Sequence, residues 1–179
     1  MPTLERHDDV FVLDLGDTGN RFHPEWLAGV AAGLDDVEGV DGPRALVTVA
    51  TGTFFSNGLD LDWLGAHPDR HEDYVRDVHA LLARVLALPV VTVTALQGHT
   101  FAAGAMLSLA HDLRVMRADR GFWCLPEADI GIPFTRSHPT AVRLAAAQVG
   151  KAGSTLATIK ARMYGPVLDL LRDRTDPRG

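Results

Sequence analysis

Short apolar runs alternate along this chain with segments of helical periodicity. VFVLDLG (Val10 to Gly16) predicts a strand that closes on a glycine turn. HPEWLAGVAAGLDDV (His23 to Val37) predicts a helix, with Pro24 in its first turn and apolar residues at Trp26, Leu27, Val30, Ala31 and Leu34. ALVTVA (Ala45 to Ala50) is almost continuously apolar, as a strand buried on both faces is. TGTFFSNGLDL interrupts it with turn-forming residues. A long helix is predicted from about Pro68 to Leu88, with Tyr74, Val78, Leu81, Leu82, Val85 and Leu86 along one side and Pro89 as its stop. VVTVTAL (Val90 to Leu96) predicts a second buried strand, QGHT a turn, and FAAGAMLSLAHD (Phe101 to Asp112) a short helix of small residues. LRVM and GFWCL predict further strands. SHPTAVRLAAAQVG predicts a helix ending at Gly150, a C-terminal capping glycine. STLATIKARMYGPVLDLLRD predicts a last helix that Gly165 and Pro166 break or kink, and the hydrophilic tail RDRTDPRG frays. Strands alternating with helices place the chain in the α/β class.

Bulk properties narrow the function classes. The 179 residues fit one domain with a real core, and 46% hydrophobic with 22% charged residues argues against disorder. A formal net charge of −6 gives no reason to expect nucleic-acid binding. The lone Cys124 excludes a disulfide framework and a CxxC metal site, and points mildly to a reducing compartment. MPTLERHDDV lacks a basic end followed by an apolar stretch, so no secretory signal is read there. The longest apolar-rich stretches are too short or too interrupted to span a bilayer. The expectation is a soluble cytoplasmic protein with no nucleic-acid or membrane partner.

The chemistry-bearing residues cluster in three places. CLPEADIGIPF (Cys124 to Phe134) sets Glu127 and Asp129 in an apolar run, where an ionised carboxylate without partners is costly. Either the stretch is at the surface, or one carboxylate sits in a pocket for chemistry. FFSNGLDL places Gly58 directly after a strand, where positive φ can leave backbone N–H groups unpaired; a simple strand-to-helix connection is the plainer reading. QGHTFAAGAML starts a helix with Ala102, Ala103 and Gly104, whose small side chains expose the unsatisfied first-turn donors or serve close packing. Together the three make a set with one purpose. Donors from two loops can hold a thioester oxygen as it becomes an enolate. A carboxylate whose pKa is raised by apolar surroundings can take the neighbouring proton.

Here the sequence resembles the enoyl-CoA hydratase/isomerase, or crotonase, superfamily over roughly Val10 to Gly150. FFSNGLDL is similar to that family's first oxyanion loop, usually F-[SA]-[AS]-G-x-D-[LI]. ALQGHTFAAGAMLSLAHDLRVMRADRGF is similar to its second, an apolar strand ending in G-x-x-x-G-[GA]-G. PEADIG is similar to its P-E-x-x-x-G segment. The resemblance implies an α/β crotonase-like spiral of repeated ββα units with shortened C-terminal helices. It divides the chain into a core over 1–150 and a C-terminal helix and tail over 151–179. It implies an oxyanion hole from the backbone N–H groups of Leu59 and Ala103, with Glu127 as the catalytic carboxylate. Ser56, Asn57, Gly58, Leu61, Trp63, Met106 and Phe134 are implied to line the substrate site.

Hydratases of the family carry a second glutamate three residues beyond the helical oxyanion donor. That position is Met106 here. A single base suits a 1,3-proton shift, and FFSNGLDL, DRGF and PEADIGIPF are most similar to Δ3,Δ2-enoyl-CoA isomerases of the peroxisomal, plant-like type. The implied activity converts 3-enoyl-CoA to trans-2-enoyl-CoA with no metal or redox cofactor, coenzyme A thioester being the substrate. The implied assembly is a homotrimer. The family's pattern of helices after P-E-x-x-x-G has no counterpart between Gly150 and Ser154. That keeps two other readings open: a crotonase-like acyl-CoA-binding or scaffold protein without turnover, and another crotonase reaction such as hydration or thioester hydrolysis.

Other polar residues are read as structural. Asp129 is assigned to structure or solvent, Asp60 to a helix or turn cap, and His99 to a turn. His99 and His111 have no other ligand at zinc-like spacing. Ser56 and Ser108 lack the G-x-S-x-G context of a serine nucleophile. Cys124 is expected to be buried and inert. Lys160 and Arg162 are assigned to a solvated helix face, with a CoA phosphate as the alternative.

Overall fold

The polar opening segment forms a strand that its composition hides. In the computed structural model, which describes residues 1–125 and 149–172, β1 (Thr3–His7) folds back antiparallel onto β2 (Val10–Asp14). Asp8, at φ 54°, makes the turn. β1 is an edge strand with little burial, so TLERH needs no apolar alternation to pair.

From β2 onward the chain advances in a repeated pattern. β2 pairs parallel with β3 (Ala45–Val49), β3 with β5 (Val91–Leu96), and β5 with β7 (Leu113–Met116). The five-stranded order is β1-β2-β3-β5-β7. Three short strands, β4 (Phe54–Ser56), β6 (His99–Phe101) and β8 (Trp123–Cys124), form a second parallel sheet in the order β4-β6-β8. Each successive strand pair therefore gives one strand to each sheet. Helices return the chain: α1 (Pro24–Glu38) after β2, α2 (Leu61–Ala66) and α3 (His71–Ala87) after β4, and α4 (Ala103–Leu109) after β6. This is the predicted spiral of ββα units. QGHT is not only a turn: its His99 and Thr100 begin β6, because a bulge-like register shift lets Phe54 and Ser56 pair with them.

The core explains the continuous apolar runs. One face of the larger sheet packs against helices through Phe22, Leu34, Leu46, Phe55, Leu88 and Leu107, all essentially inaccessible. The other face carries Val10, Val47, Val49, Val91 and Val93, with Val149 and Leu156 packed on them. Strands β3 and β5 are thus buried on both sides, as ALVTVA and VVTVTAL require. Burying each large apolar side chain contributes about 1.5–3 kcal/mol.

The helix ends follow local chemistry. Pro24 occupies the first turn of α1, and the His23 ring accepts from the Glu25 N–H at 3.3 Å. A 3-10 turn (Pro68–Arg70) leads into α3. The helix predicted over 137–150 lies outside the described residues, except that Val149–Lys151 form a 3-10 turn. The last helix, α5 (Ser154–Arg172), packs along α3. It runs unbroken through Gly165 and Pro166, contrary to the expected break. Proline removes one intrahelical hydrogen bond, and a long packed helix tolerates that loss. No helix among the described residues is long and apolar enough to cross a membrane.

Candidate active site

The turn after β4 is held peptide by peptide. Asn57 donates its N–H to the Gly19 carbonyl at 2.9 Å. Gly58 donates to Ser56 Oγ at 3.0 Å, and that hydroxyl donates to the Asn20 carbonyl at 2.7 Å. The Gly58 carbonyl accepts from the Phe22 N–H at 2.8 Å. Asp60 donates its N–H to Tyr74 Oη at 2.8 Å. The Leu59 N–H has no acceptor among the described residues. In a trans peptide the C=O and N–H point in opposite directions. Anchoring the Gly58 carbonyl on Phe22 therefore aims the Leu59 N–H the other way.

The second donor lies against this turn. A Cβ on Gly58 would stand 2.8 Å from the Ala103 nitrogen and 3.1 Å from the Phe101 carbonyl, and Gly58 has φ +76°. Only glycine meets both demands. Ala103 is the first residue of α4, and its N–H likewise has no acceptor among the described residues. Ala102 before it has φ 50° and ψ −124°, a conformation that favours glycine. Its carbonyl accepts from Met106, and its N–H donates to the Cys124 carbonyl at 3.1 Å. The turn that carries the Leu59 N–H thus packs directly against the Ala103 nitrogen at the start of α4, and neither N–H has an acceptor among the described residues.

The surroundings sort the other predicted residues. Met106, on α4, is 39% exposed, and no carboxylate stands at its position. Trp63 is half-buried, stacked on His67 at 4.4 Å between centroids and tilted on Tyr74 at 5.4 Å. Leu61 is exposed on α2. Asn57 lines a cleft of about 620 Å³ with Arg21, His23 and Asp60. Ser56 is fully buried and its hydroxyl is occupied by Gly58 and Asn20, so it acts on the turn from beneath rather than facing a ligand. Asp60 caps α2 by accepting from the Trp63 N–H at 3.2 Å. Glu127, Asp129 and Phe134 lie outside the described residues.

Lys160, His111 and Cys124 have surroundings that the local sequence does not announce. Lys160 is neither on a solvated face nor placed to meet a phosphate. It is 3% exposed and donates to the Leu88 and Val90 carbonyls, each at 3.0 Å, and to Asp112 Oδ2 at 2.9 Å. The last turn of α3 and the strand after it converge on its face of α5, which periodicity alone does not reveal. His111 is buried: Nδ1 donates to the Leu107 carbonyl and Nε2 accepts from Thr48 Oγ1, both at 2.8 Å. Burial lowers its pKa to about 4, so the ring is neutral. Cys124 is half-buried rather than buried, because β8 lies at the end of the small sheet. Among the described residues no cluster of three or more His, Cys, Asp or Glu could hold a metal ion.

Sequence reasoning missed Asn20 and Tyr74 as supports of the turn. Asn20 donates its amide to the Phe54 and Phe55 carbonyls at 3.2 and 3.1 Å and holds φ 44°. Its place in GDTGN signals a turn, but nothing local signals the strand it anchors. Tyr74 reads as core because it falls on the apolar stripe of α3.

The family model for enoyl-CoA hydratase/isomerase matches residues 5–166. The chain is 37% identical over 175 residues to enoyl-CoA delta isomerase 3 of Arabidopsis thaliana, covering 94% of this chain and 71% of that protein. It is 40% identical over 141 residues to the peroxisomal enoyl-CoA delta isomerase 2 of the same plant, covering 74% of this chain and 58% of the relative. The match to this second relative thus spans less than two thirds of its length. A solved enoyl-CoA isomerase of Mycobacterium tuberculosis superposes with a TM-score of 0.81 at 22% identity, covering 96% of this chain and 94% of that one. An enoyl-CoA hydratase of Mycobacterium marinum gives 0.77 at 21%, covering 96% and 94%. At such identities these two structures speak to the fold alone.

Proposed function

The chain belongs to the enoyl-CoA hydratase/isomerase family, and from that premise we propose that it moves the double bond of a 3-enoyl-CoA to give the trans-2-enoyl-CoA. The observation that carries this reading is the packing of the Gly58 turn against the Ala103 nitrogen, with the Leu59 and Ala103 N–H groups both lacking an acceptor among the described residues and Met106 where a second carboxylate would stand. The thioester oxygen accepts from both donors. Glu127 takes a proton from C2, and the electron pair moves onto the thioester oxygen as a dienolate. The donors stabilise that charge more than the neutral carbonyl, which is the condition for faster chemistry. Glu127 then returns the proton to C4, and the double bond settles between C2 and C3. One base and one proton suffice, so the step needs neither a metal nor a redox cofactor.

The names of the two Arabidopsis relatives support an isomerase over a hydratase, and Met106 supports it chemically. Hydration asks for a second carboxylate to handle water. The proposal includes a core over 1–150 with a C-terminal helix and tail over 151–179, and a homotrimer acting in the cytoplasm. Asn57, Gly58, Leu61, Trp63, Met106 and Phe134 border the acyl-CoA in this reading, with Ser56 supporting the turn.

The test is conversion of 3-hexenoyl-CoA to trans-2-hexenoyl-CoA by purified protein, with products identified by chromatography. Glu127→Gln is expected to lower turnover about 10²–10⁴-fold, the range for losing a general base. Calorimetric binding of the CoA ester should survive. Binding by the wild type without turnover would assign it to the scaffold reading, and a hydrated product would assign it to hydration. Retained activity in Glu127→Gln would remove that residue from the mechanism.

A further inference from the structure

Of the four consecutive N–H groups of residues 57–60, three have partners, each a different one. Asn57 and Gly58 are tied to Gly19 and Ser56, within the network of the β2–α1 loop and β4. Leu59 is left open among the described residues. Asp60 is tied to Tyr74, which belongs to α3. Among the described residues, Tyr74 is thus the α3 side chain that hydrogen-bonds the donor turn.

We infer that Tyr74 is a positioning residue for the Leu59 oxyanion donor: its hydroxyl fixes the peptide unit that follows Leu59, so that the donor peptide, pinned at its Gly58 carbonyl by Phe22, is held at its Leu59 end as well. The inference rests on the isomerase reading above. Leu59 sits between two peptide units. The one before it is pinned by the Phe22 N–H on the Gly58 carbonyl, and the one after it by Tyr74 Oη on the Asp60 N–H. With both pinned, the φ and ψ of Leu59 are set. With the second released, the Asp60 N–H loses its acceptor, the Leu59 Cα is no longer held, and the donor peptide, left with the Phe22 anchor at its Gly58 carbonyl, is free to tilt. Oxyanion donors act through prior alignment, so a small rotation weakens the enolate contact more than the contact to the ground-state thioester.

The anchor is rigid. Tyr74 is 2% exposed, its ring is tilted on Trp63 at 5.4 Å, and Asp60, whose N–H it holds, also caps α2. Burial raises the phenol's pKa, so Tyr74 stays neutral at ordinary pH.

Tyr74→Phe keeps the buried ring and deletes only the acceptor. We expect kcat for 3-hexenoyl-CoA isomerisation to fall about tenfold while KM stays within twofold. The 13C carbonyl shift of bound [1-13C]hexanoyl-CoA, which polarisation by the donors moves downfield, should retreat toward its free value. Wild-type kcat and carbonyl shift retained in Tyr74→Phe, or a change confined to KM, overturn the role of Tyr74. A wild type with no bound carbonyl shift overturns the isomerase reading itself and this inference with it. Should Tyr74→Phe not fold, 3-fluorotyrosine in a Tyr164→Phe background leaves one 19F resonance. Movement of that resonance on hexanoyl-CoA binding supports the role, and a resonance indifferent to the ligand overturns it.

Discussion

Gly104 on α4 lies flush against Ser56 on β4: a Cβ at position 104 would stand 2.7 Å from the Ser56 Cβ and carbonyl oxygen. That contact sets how closely the helix bearing the Ala103 donor approaches the turn bearing the Leu59 donor. Gly104→Ala must push α4 away from β4, and overpacking of this kind costs about 1–3 kcal/mol. Urea denaturation should show that loss, and isomerase kcat should fall with it. Gly65→Ala is the control: Gly65 lies in α2 with nothing near its Cβ position, so the variant should be neutral or more stable by up to about 1 kcal/mol. Equal stabilities for the two variants would sink the packing account.

Much of this architecture was legible in the sequence. β3 and β5 announce themselves as apolar runs because both their faces are covered, and α3 by its stripe from Tyr74 to Leu86. The two donor turns were legible through Gly58 and the run Ala102-Ala103-Gly104, since close backbone approach excludes larger side chains. β1, β4 and β6 were not, because an edge strand and three-residue strands carry too few residues for a period to register. Lys160 and His111 were misread or passed over for another reason. Apart from Leu107, four residues before His111, their partners Leu88, Val90, Asp112 and Thr48 lie between 48 and 72 residues away in the chain. A burial decided by such distant partners leaves no local trace.

Ala102 holds φ 50° and ψ −124°, where a Cβ is strained. Strain of this kind costs about 1–3 kcal/mol, while glycine adds about 0.4–1 kcal/mol of unfolded-state freedom. Ala102→Gly should therefore stabilise the protein by about 1 kcal/mol. Chemical denaturation decides it: an unchanged or lower midpoint would mean that alanine sits there without strain.

Lys160 joins α5 to the body of the fold. Its ammonium group satisfies two backbone carbonyls and Asp112, whose Oδ2 also accepts from the Thr92 N–H at 2.8 Å and the Thr92 hydroxyl at 3.0 Å. Lys160→Met leaves those acceptors without their cation, and breaking a buried pair from one side costs about 3–5 kcal/mol. Arg162→Ala, on the exposed side of the same helix, should stay within about 0.5 kcal/mol of wild type. If the two substitutions cost the same in denaturant titrations, Lys160 is not the anchor of α5.

His111 predicts an acid weakness with a defined window. The folded protein holds the ring neutral with a pKa of about 4, whereas the unfolded chain protonates it near the ordinary value of 6.5. Between these values the unfolded state binds more protons, so stability rises with pH. The contribution is fully present above about pH 6.5 and is lost as pH falls toward 4. From pH 7 to pH 5 the His111 part of that loss is about 2 kcal/mol, since each unit of pKa difference corresponds to about 1.4 kcal/mol. Protonation is resisted chiefly because the ring is buried away from water, and Nε2 already accepts from Thr48 Oγ1. Carboxylates titrate over the same range, and only a comparison isolates the histidine. His111→Gln keeps a polar group that can bond Thr48 and does not titrate. Its stability at pH 7 should be lower than wild type, but its decline from pH 7 to pH 5 should be shallower by about 2 kcal/mol. Parallel declines for the two proteins would mean that His111 accepts a proton in place, and that its burial does not govern the acid limit.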